Sequence, residues 1–520
     1  MKFEMIGVAE QLRHSIENIM RLFFDEPELI FRDAAGPPES GDALRIQLKT
    51  TGFRPHGEVI SANSSAELTD PASGKLYQAV REKALPPDAD DKQRRREIRL
   101  SLSYALLQIL QEWTGLEQPW GILTGVRPTK LLHRMLGSGA SQEEAFRVLR
   151  EQYLIHEEKI ALMRRIVERQ LSVVPDLYDL RREVSIYIGI PFCPTKCAYC
   201  TFPAYAINGR QGSVDSFLGG LHYEMEEIGR WLKQNDMRIT TIYFGGGTPT
   251  SITSEEMDML YERMYASFPH MDRVREITVE AGRPDTITED KLDVLKKWGI
   301  GRISVNPQSY IQKTLDVIGR HHTVEETLEK FRLARRMGMN NINMDLIIGL
   351  PGEGADEFAY TLRKTEELMP ESLTVHTLSF KRASEMTRNK HADQYRVAGR
   401  AEATAMMGMA AEWTNRNGYS PYYLYRQKNI LGNLENVGYA LPGRESIYNI
   451  IIMEEMQTII GLGCGASSKW IDSVTGEISR FANPKEPSVY NEHYRKYTKD
   501  KIEALERLFM KKGIPVEGAL

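Results

Sequence analysis

Cysteine is scarce, with four residues in a chain of 520. So low a count excludes a disulfide-framed scaffold, which would scatter paired cysteines along the sequence. Long apolar runs are missing as well. No stretch approaches the roughly 18 residues a spanning helix needs, and the opening MKFEMIGVAEQLRHSIENIM breaks its short apolar patches with Glu, Arg and His. The expected location is the cytoplasm, with no membrane span. Neither sign of charge is in excess: Lys plus Arg number 67 and Asp plus Glu 71, a net −4, so nothing in the balance calls for nucleic acid as a partner. Low-complexity tracts, coiled-coil heptads and solenoid-period repeats are also lacking. With 41% hydrophobic residues the chain can build a sizeable core. Its length corresponds to about three ordinary domains, which excludes a single small binding module.

Three regions differ in pattern. Residues 1–180 are expected to form an accessory N-terminal domain, mostly helical with a small α+β start. They contain a Pro/Asp-rich break with a basic run, ALPPDADDKQRRREIR, followed by helical periodicity in SLSYALLQILQEW and EEAFRVLREQYLIHEEKIALMRRIVERQL. Within GILTGVRPTKLLHRML, Arg127 and Lys130 mark a helix entrance. These cations can meet a substrate carboxylate, or simply line a solvated turn.

From Val184 onward, short β-branched runs alternate with amphipathic helices. The runs are VSIYIGIP, ITTIYFGGG, EITVEAG, RISVNPQ, NINMDLIIGLP and LTVHTLS, beginning at 184, 239, 276, 302, 341 and 373. Between the first two, Phe217, Leu218, Leu221, Met225, Ile228 and Leu232 recur at helical spacing. Thr253 with Glu256, and Thr323 with Glu326, fit the capping box that satisfies a helix's first free amides. Six β-then-α units imply a parallel sheet with helices outside, because each crossover returns right-handed over the sheet. The fold class is therefore α/β, with a partial (β/α)6 barrel over residues 181–381 and active groups at the carboxyl ends of its strands. Residues 382–520 are expected to be a mostly helical C-terminal domain covering the barrel mouth.

Three of the four cysteines, Cys193, Cys197 and Cys200, lie in YIGIPFCPTKCAYCTF with C-x3-C-x2-C spacing, just after the first barrel strand. A closed zinc site wants four ligands, and no second Cys or His pair lies near enough to complete one. Three thiolates suit a [4Fe-4S] cluster whose fourth iron stays open to a small molecule. Cys464, in IIGLGCGA, reads as a packed thiol rather than a fourth ligand. His321 and His322 can be turn or cap histidines, axial ligands to a haem, or groups close to a substrate.

The cysteine spacing, and the GGGTP at 245–249 that ends the next strand, resemble the radical S-adenosylmethionine (SAM) superfamily. The resemblance runs over about 180–380, so that the fold class becomes a partial (β/α)6 radical SAM barrel. More narrowly, the chain is similar to the oxygen-independent coproporphyrinogen III oxidase family, in the type that carries an additional N-terminal domain. That resemblance implies a [4Fe-4S] cluster on Cys193, Cys197 and Cys200, and SAM as the second cofactor. It implies SAM contacts at Tyr187, Tyr199, Gly246, Gly247, Thr248, Glu280, Gln308, Arg320, Asp345 and Ser379, the last through its backbone. It further implies a porphyrinogen substrate, a reductant such as flavodoxin or ferredoxin, and oxidative decarboxylation of coproporphyrinogen III to protoporphyrinogen IX in anaerobic haem biosynthesis. Lys381, Arg382, Arg127 and Lys130 are candidate anchors for the substrate propionates. One position departs from the decarboxylating branch, which carries a further cysteine where this chain has Phe202. The same form occurs in the HemW branch of haem-binding chaperones. A haem-trafficking protein and a radical SAM methyltransferase therefore stay open as alternatives.

Overall fold

The computed structural model describes the chain apart from residues 34–42, 57–58, 126, 181–182, 208–212, 382, 428, 473–474 and 511–520. Contacts divide it into two units, Met1–Arg164 and Arg165–Leu520.

The first unit begins with β1 (Lys2–Ile6), α1 (Glu10–Met20), β2 (Glu28–Arg32), β3 (Leu44–Thr50), β4 (Arg54–His56), β5 (Val59–Thr69) and β6 (Leu76–Leu85). These strands form one six-stranded sheet in which β1 runs parallel to both neighbours and β5 pairs antiparallel with β3, β4 and β6. Then come α2 (Asp91–Thr114), α3 (Pro128–Gly137) and α4 (Gln142–Tyr153), and the boundary between the units falls within α5 (Glu157–Val173). The helix α2 starts inside the basic run, on a capping box between Asp90 and Gln93, and packs across β5 and β6. The opening sheet is larger than the small α+β start expected. The reason is legible in β5, VISANSSAELT, whose inward positions are filled by Ile60, Ala62, Ser64, Ala66 and Leu68. Small and polar residues on the buried face mute the alternation by which a strand is recognised.

The second unit holds β7 (Glu183–Ile190), β8 (Phe192–Cys193), β9 (Tyr205–Ala206), α6 (Val214–Gln234), β10 (Arg238–Gly246), α7 (Ser254–Ser267), β11 (Glu276–Glu280), α8 (Glu289–Lys297) and β12 (Arg302–Ser304). It continues with α9 (Gln312–Val317), α10 (Val324–Arg336), β13 (Ile342–Ile348), α11 (Ala355–Glu366), β14 (Ser372–Thr377), α12 (Glu385–Arg388) and α13 (Arg400–Arg416). Last come β15 (Ser420–Tyr425), β16 (Asn436–Ala440), α14 (Ile447–Glu454), β17 (Thr458–Gly463), β18 (Ser467–Ile471), β19 (Ile478–Ala482) and α15 (Pro487–Met510). All six expected strands are present and pair in parallel, in the order β7, β10, β11, β12, β13, β14. The helix α6 buries the apolar stripe read from its spacing, and the Thr253–Glu256 capping box starts α7.

The stretch after residue 382 is mostly helical, as expected, in α12, α13, α14 and α15, but it also carries strands. Its strands extend the same sheet at both edges: β16 and β15 add antiparallel beyond β14, while β17 adds parallel beside β7 and carries β18 and β19. Every residue of β16 (NVGYA) and β17 (TIIGLG) is buried. A short run buried on both faces has neither a two-residue nor a 3.6-residue period, so pattern alone could not identify it. Seven parallel strands thus end at one mouth. Across their helix-packed faces, Ile186, Ile188, Phe244, Val279, Ile303 and Leu346 join the residues from α6, α7 and α10 in one apolar core.

Candidate functional site

The cysteine loop leaves the end of β7 and is pinned from four sides. The strands β8 and β9 pair in parallel, and the Tyr205 amide donates to the Pro191 carbonyl at 2.8 Å. The Ala198 amide donates to the Ile318 carbonyl at 2.9 Å, and the Met386 amide of α12 donates to the Ala198 carbonyl at 3.0 Å. The Thr195 hydroxyl donates to the Gly319 carbonyl at 3.1 Å and accepts from Arg283 at 2.8 Å. Cys193, Cys197 and Cys200 are free and partly exposed in this loop. Cys193 Sγ lies 3.2 Å from the Thr248 hydroxyl. Burial pushes its pKa up to about 11, against the Thr248 hydrogen bond, and the neighbouring Cys197 and Cys200 raise it further. The three thiols are thus near enough for their charges to interact.

The glycines of GGGTP have a specific structural reason. A Cβ on Gly247 would sit 2.4 Å from the Phe192 carbonyl oxygen, and one on Gly246, at φ +109°, would sit 2.9 Å from that of Ile190. The end of β10 therefore lies directly against the backbone that enters the cysteine loop, held there by the Gly247 and Thr248 amides at 2.8 and 2.7 Å. Gly245 makes room on the other side, where a Cβ would come within 3.1 Å of both Glu280 and the Tyr187 ring.

Around the mouth the strand ends contribute polar groups in sequence. Glu280 closes β11 and accepts from Tyr243 at 2.5 Å. Burial raises its pKa to about 7; the Tyr243 hydrogen bond pulls down and the charge of Asp345 pushes up. Tyr187, half-buried, stacks beside Tyr243, which stacks on Tyr448 at 4.4 Å. Asp345, on β13, is half-buried; its partial burial works to raise its pKa, yet hydrogen bonds from His376, Asn343 and Thr374 hold its carboxyl below the usual range. Gln308 takes a left-handed conformation, φ +66°, and bridges to β13 through its amide to the Asp345 carbonyl at 3.0 Å. Arg320 is buried. One of its nitrogens donates to the Gly282 and Asn306 carbonyls at 2.7 and 2.8 Å, and another lies 3.4 Å from the Tyr199 hydroxyl. Ser379 forms an isolated bridge with Ile430 beyond the end of β14.

The sequence-chosen residues are thus distributed along one continuous mouth. Cys464 is apart from them in role: it is buried, and its sulfur faces the Pro484 and Lys485 carbonyls at 3.3 and 3.2 Å. His321 is exposed, whereas His322 is buried with neither ring nitrogen partnered, and burial beside Arg320 and Arg283 pushes its pKa down to about 3. Arg127 and Lys130 belong to the first unit, at the start of α3, and Arg382 lies outside the described residues. Three participants escaped the sequence reading. Arg283 forms a bidentate pair with Asp285 at 3.0 and 2.9 Å while donating to Thr195. His376 reaches Asp345 at 3.5 Å. Asn306 donates to Asp345 at 2.9 Å. Their shared signal was position, since each lies at or just past the end of a strand.

The donor set fits an iron-sulfur cluster and a nucleoside-bearing ligand. Three free thiols lie in one loop at the mouth, and Arg320 Nε and Asn306 Oδ1, at the ends of neighbouring strands, are buried without a partner. Buried polar atoms left unpaired are rare unless a ligand completes them.

A parallel β/α sheet with three thiols in the loop after its first strand defines a radical SAM protein, and the radical SAM superfamily profile matches residues 187–365. Its cofactors are a [4Fe-4S] cluster and SAM. The oxygen-independent coproporphyrinogen-III oxidase-like protein HemZ of Bacillus subtilis is 60% identical over 512 residues, 98% of this chain and 99% of that one. The chain belongs to the HemZ family of coproporphyrinogen-III oxidase-like proteins. The haem chaperone HemW of B. subtilis is 34% identical over 194 residues, spanning 37% of this chain and 50% of that protein. Among solved structures, coproporphyrinogen III oxidase (HemN) from Escherichia coli shares the fold with a TM-score of 0.50 at 22% identity, over 63% of this chain and 72% of that one. No helix among the described residues is long and apolar enough to cross a membrane.

Proposed function

We propose that this chain carries out the oxidative decarboxylation of coproporphyrinogen III, converting two propionates to vinyl groups to give protoporphyrinogen IX. The observation that carries this reading is the 60% identity to a coproporphyrinogen-III oxidase-like protein across essentially the whole chain. Each propionate gives up one hydrogen atom, one electron and carbon dioxide. Cluster and SAM together supply a carbon-centred radical able to take that hydrogen from an unactivated C–H bond.

The work of the protein is to hold and to exclude. Cys193, Cys197 and Cys200 hold the cluster, and the Thr195–Arg283–Asp285 chain of hydrogen bonds keeps their loop in one conformation. Tyr187, Tyr199, Gly246, Gly247, Thr248, Glu280, Gln308, Arg320, Asp345 and the Ser379 backbone hold SAM. In this arrangement the Asp345 carboxylate stays ionised and accepts from hydroxyl or amino donors, while the buried Arg320 faces a carboxylate. Glu280, with its pKa near 7, is poised either to donate or to accept at that position. The electrons come from a flavodoxin or ferredoxin type of reductant, and the reaction belongs in the cytoplasm.

The test is anaerobic incubation of reconstituted protein with SAM, a reductant and coproporphyrinogen III, followed by mass analysis of the tetrapyrroles. Loss of two carboxyl groups is the expected result. Haem bound and returned unchanged would replace the reading with a chaperone's, and added methyl mass would replace it with a methyltransferase's.

A further inference from the structure

The side chain two places beyond Cys200 lies outside the residues assigned to the cluster and to SAM. Phe202 leaves 54% of its surface in water, yet its loop is braced. Pro203 fills the space beside Gly465, where a Cβ would come within 2.9 Å of it, and the β8–β9 pairing follows two residues later. Single exposed apolar side chains are common on any surface. This one is distinguished by its place, next to the third thiol, and by its neighbour: the Lys381 ammonium stands 5.9 Å from the centroid of its ring.

Lys381 is itself anchored. Its carbonyl accepts from the Ser384 amide at 2.8 Å and the Ser384 hydroxyl at 2.9 Å, and Ser384 caps α12. The same helix donates its Met386 amide into the cysteine loop at Ala198. Ring and ammonium thus sit on two segments bonded to one another. A half-exposed phenyl ring with an ammonium over one face, and its other face open to a ligand, matches a ligand that carries an apolar ring and, two carbons away, a carboxylate. A pyrrole bearing a propionate has that layout.

We propose that Phe202 and Lys381 form the tetrapyrrole-recognising rim of the site, with the phenyl face on a pyrrole ring and the ammonium on that ring's propionate. This inference rests on the reading of the chain as a protein acting on coproporphyrinogen III.

The test is anaerobic fluorescence titration of the reconstituted protein with coproporphyrin III, the oxidised and stable form of the substrate, and with its tetramethyl ester. Iron content is measured for each variant. Phe202→Ala is expected to weaken coproporphyrin III binding about fivefold to tenfold and Phe202→Tyr to restore it. Lys381→Gln is expected to weaken binding of the acid by a similar factor and to leave binding of the ester unchanged. The inference is overturned if wild type binds coproporphyrin III and Phe202→Ala binds it equally well, or if Lys381→Gln weakens acid and ester alike. Failure of the wild type to bind any tetrapyrrole would overturn both the inference and the reading beneath it.

Discussion

At the residue scale, the mouth sets several ionisable groups apart by environment alone. Glu353, just past the end of β13, is 4% exposed, and burial raises its pKa to about 7 despite hydrogen bonds from Ser309 and Thr314, with Glu357 adding repulsion. Its folded pKa thus exceeds its unfolded value near 4.5. Stability that the protonated form confers is fully present below about 4.5 and is lost as pH rises through about 7. The loss saturates at order 3 kcal/mol from the size of the shift. Glu353→Gln keeps an acceptor for Ser309 and removes the titration. Denaturant unfolding of wild type and Glu353→Gln between pH 5 and 8 should show the difference in stability growing with pH in favour of the variant. Parallel curves would refute the assignment. Among the cysteines the contrast is sharper still. Serine at 193, 197 or 200 should abolish cluster absorbance after anaerobic reconstitution, whereas Cys464→Ser, at a sulfur that faces two backbone carbonyls, should retain it.

At the scale of elements, the six central strands were legible because each ends in a marked residue and is followed by a helix with a clear apolar stripe. The cysteine loop was legible by spacing alone. Less accessible was how the loop is held, because Ile318, Gly319 and Met386, which bond to it, are more than a hundred residues away in sequence. The expected role of GGGTP was close approach to a ligand. In the fold Gly246 and Gly247 approach the backbone of residues 190–192, so they position the cysteine loop itself. Gly247→Ala should therefore displace that loop and cost at least about 2 kcal/mol, with iron content falling in parallel. Gly219, exposed in α6 with open space where a Cβ would stand, is the control: alanine there should stabilise by about 0.5–1 kcal/mol and leave iron content alone. Equal effects of the two substitutions would contradict the close packing of Gly247 as the cause.

At the scale of the second unit, the feature hardest to read from sequence is also the one that fastens the last helix to the sheet. Glu224 of α6 and Lys501 of α15 form a fully buried ion pair between residues 277 positions apart. Lys501 also donates to the Gly461 carbonyl, and Glu224 accepts from the Gly463 amide at 2.7 Å, from Tyr490 at 2.8 Å and from Asn483 at 3.0 Å. One carboxylate thereby ties α6, α15 and the end of β17 together. That strand end lies against the strand leading to Cys193, since a Cβ on Gly463 would come within 2.4 Å of the Gly189 carbonyl oxygen. Burial lowers the Lys501 pKa while Glu224 supports the charged form. Removing the cation alone strands a buried carboxylate, so Lys501→Met should destabilise by about 3–5 kcal/mol. Adding Glu224→Gln removes the stranded charge and keeps an acceptor for the Gly463 amide, and so should recover part of that loss. If the pair merely fastens a peripheral helix, iron uptake will be the same in both variants. If it positions the end of β17 beside the cysteine strand, Lys501→Met will take up less iron than wild type and the double variant will recover iron and denaturant midpoint together.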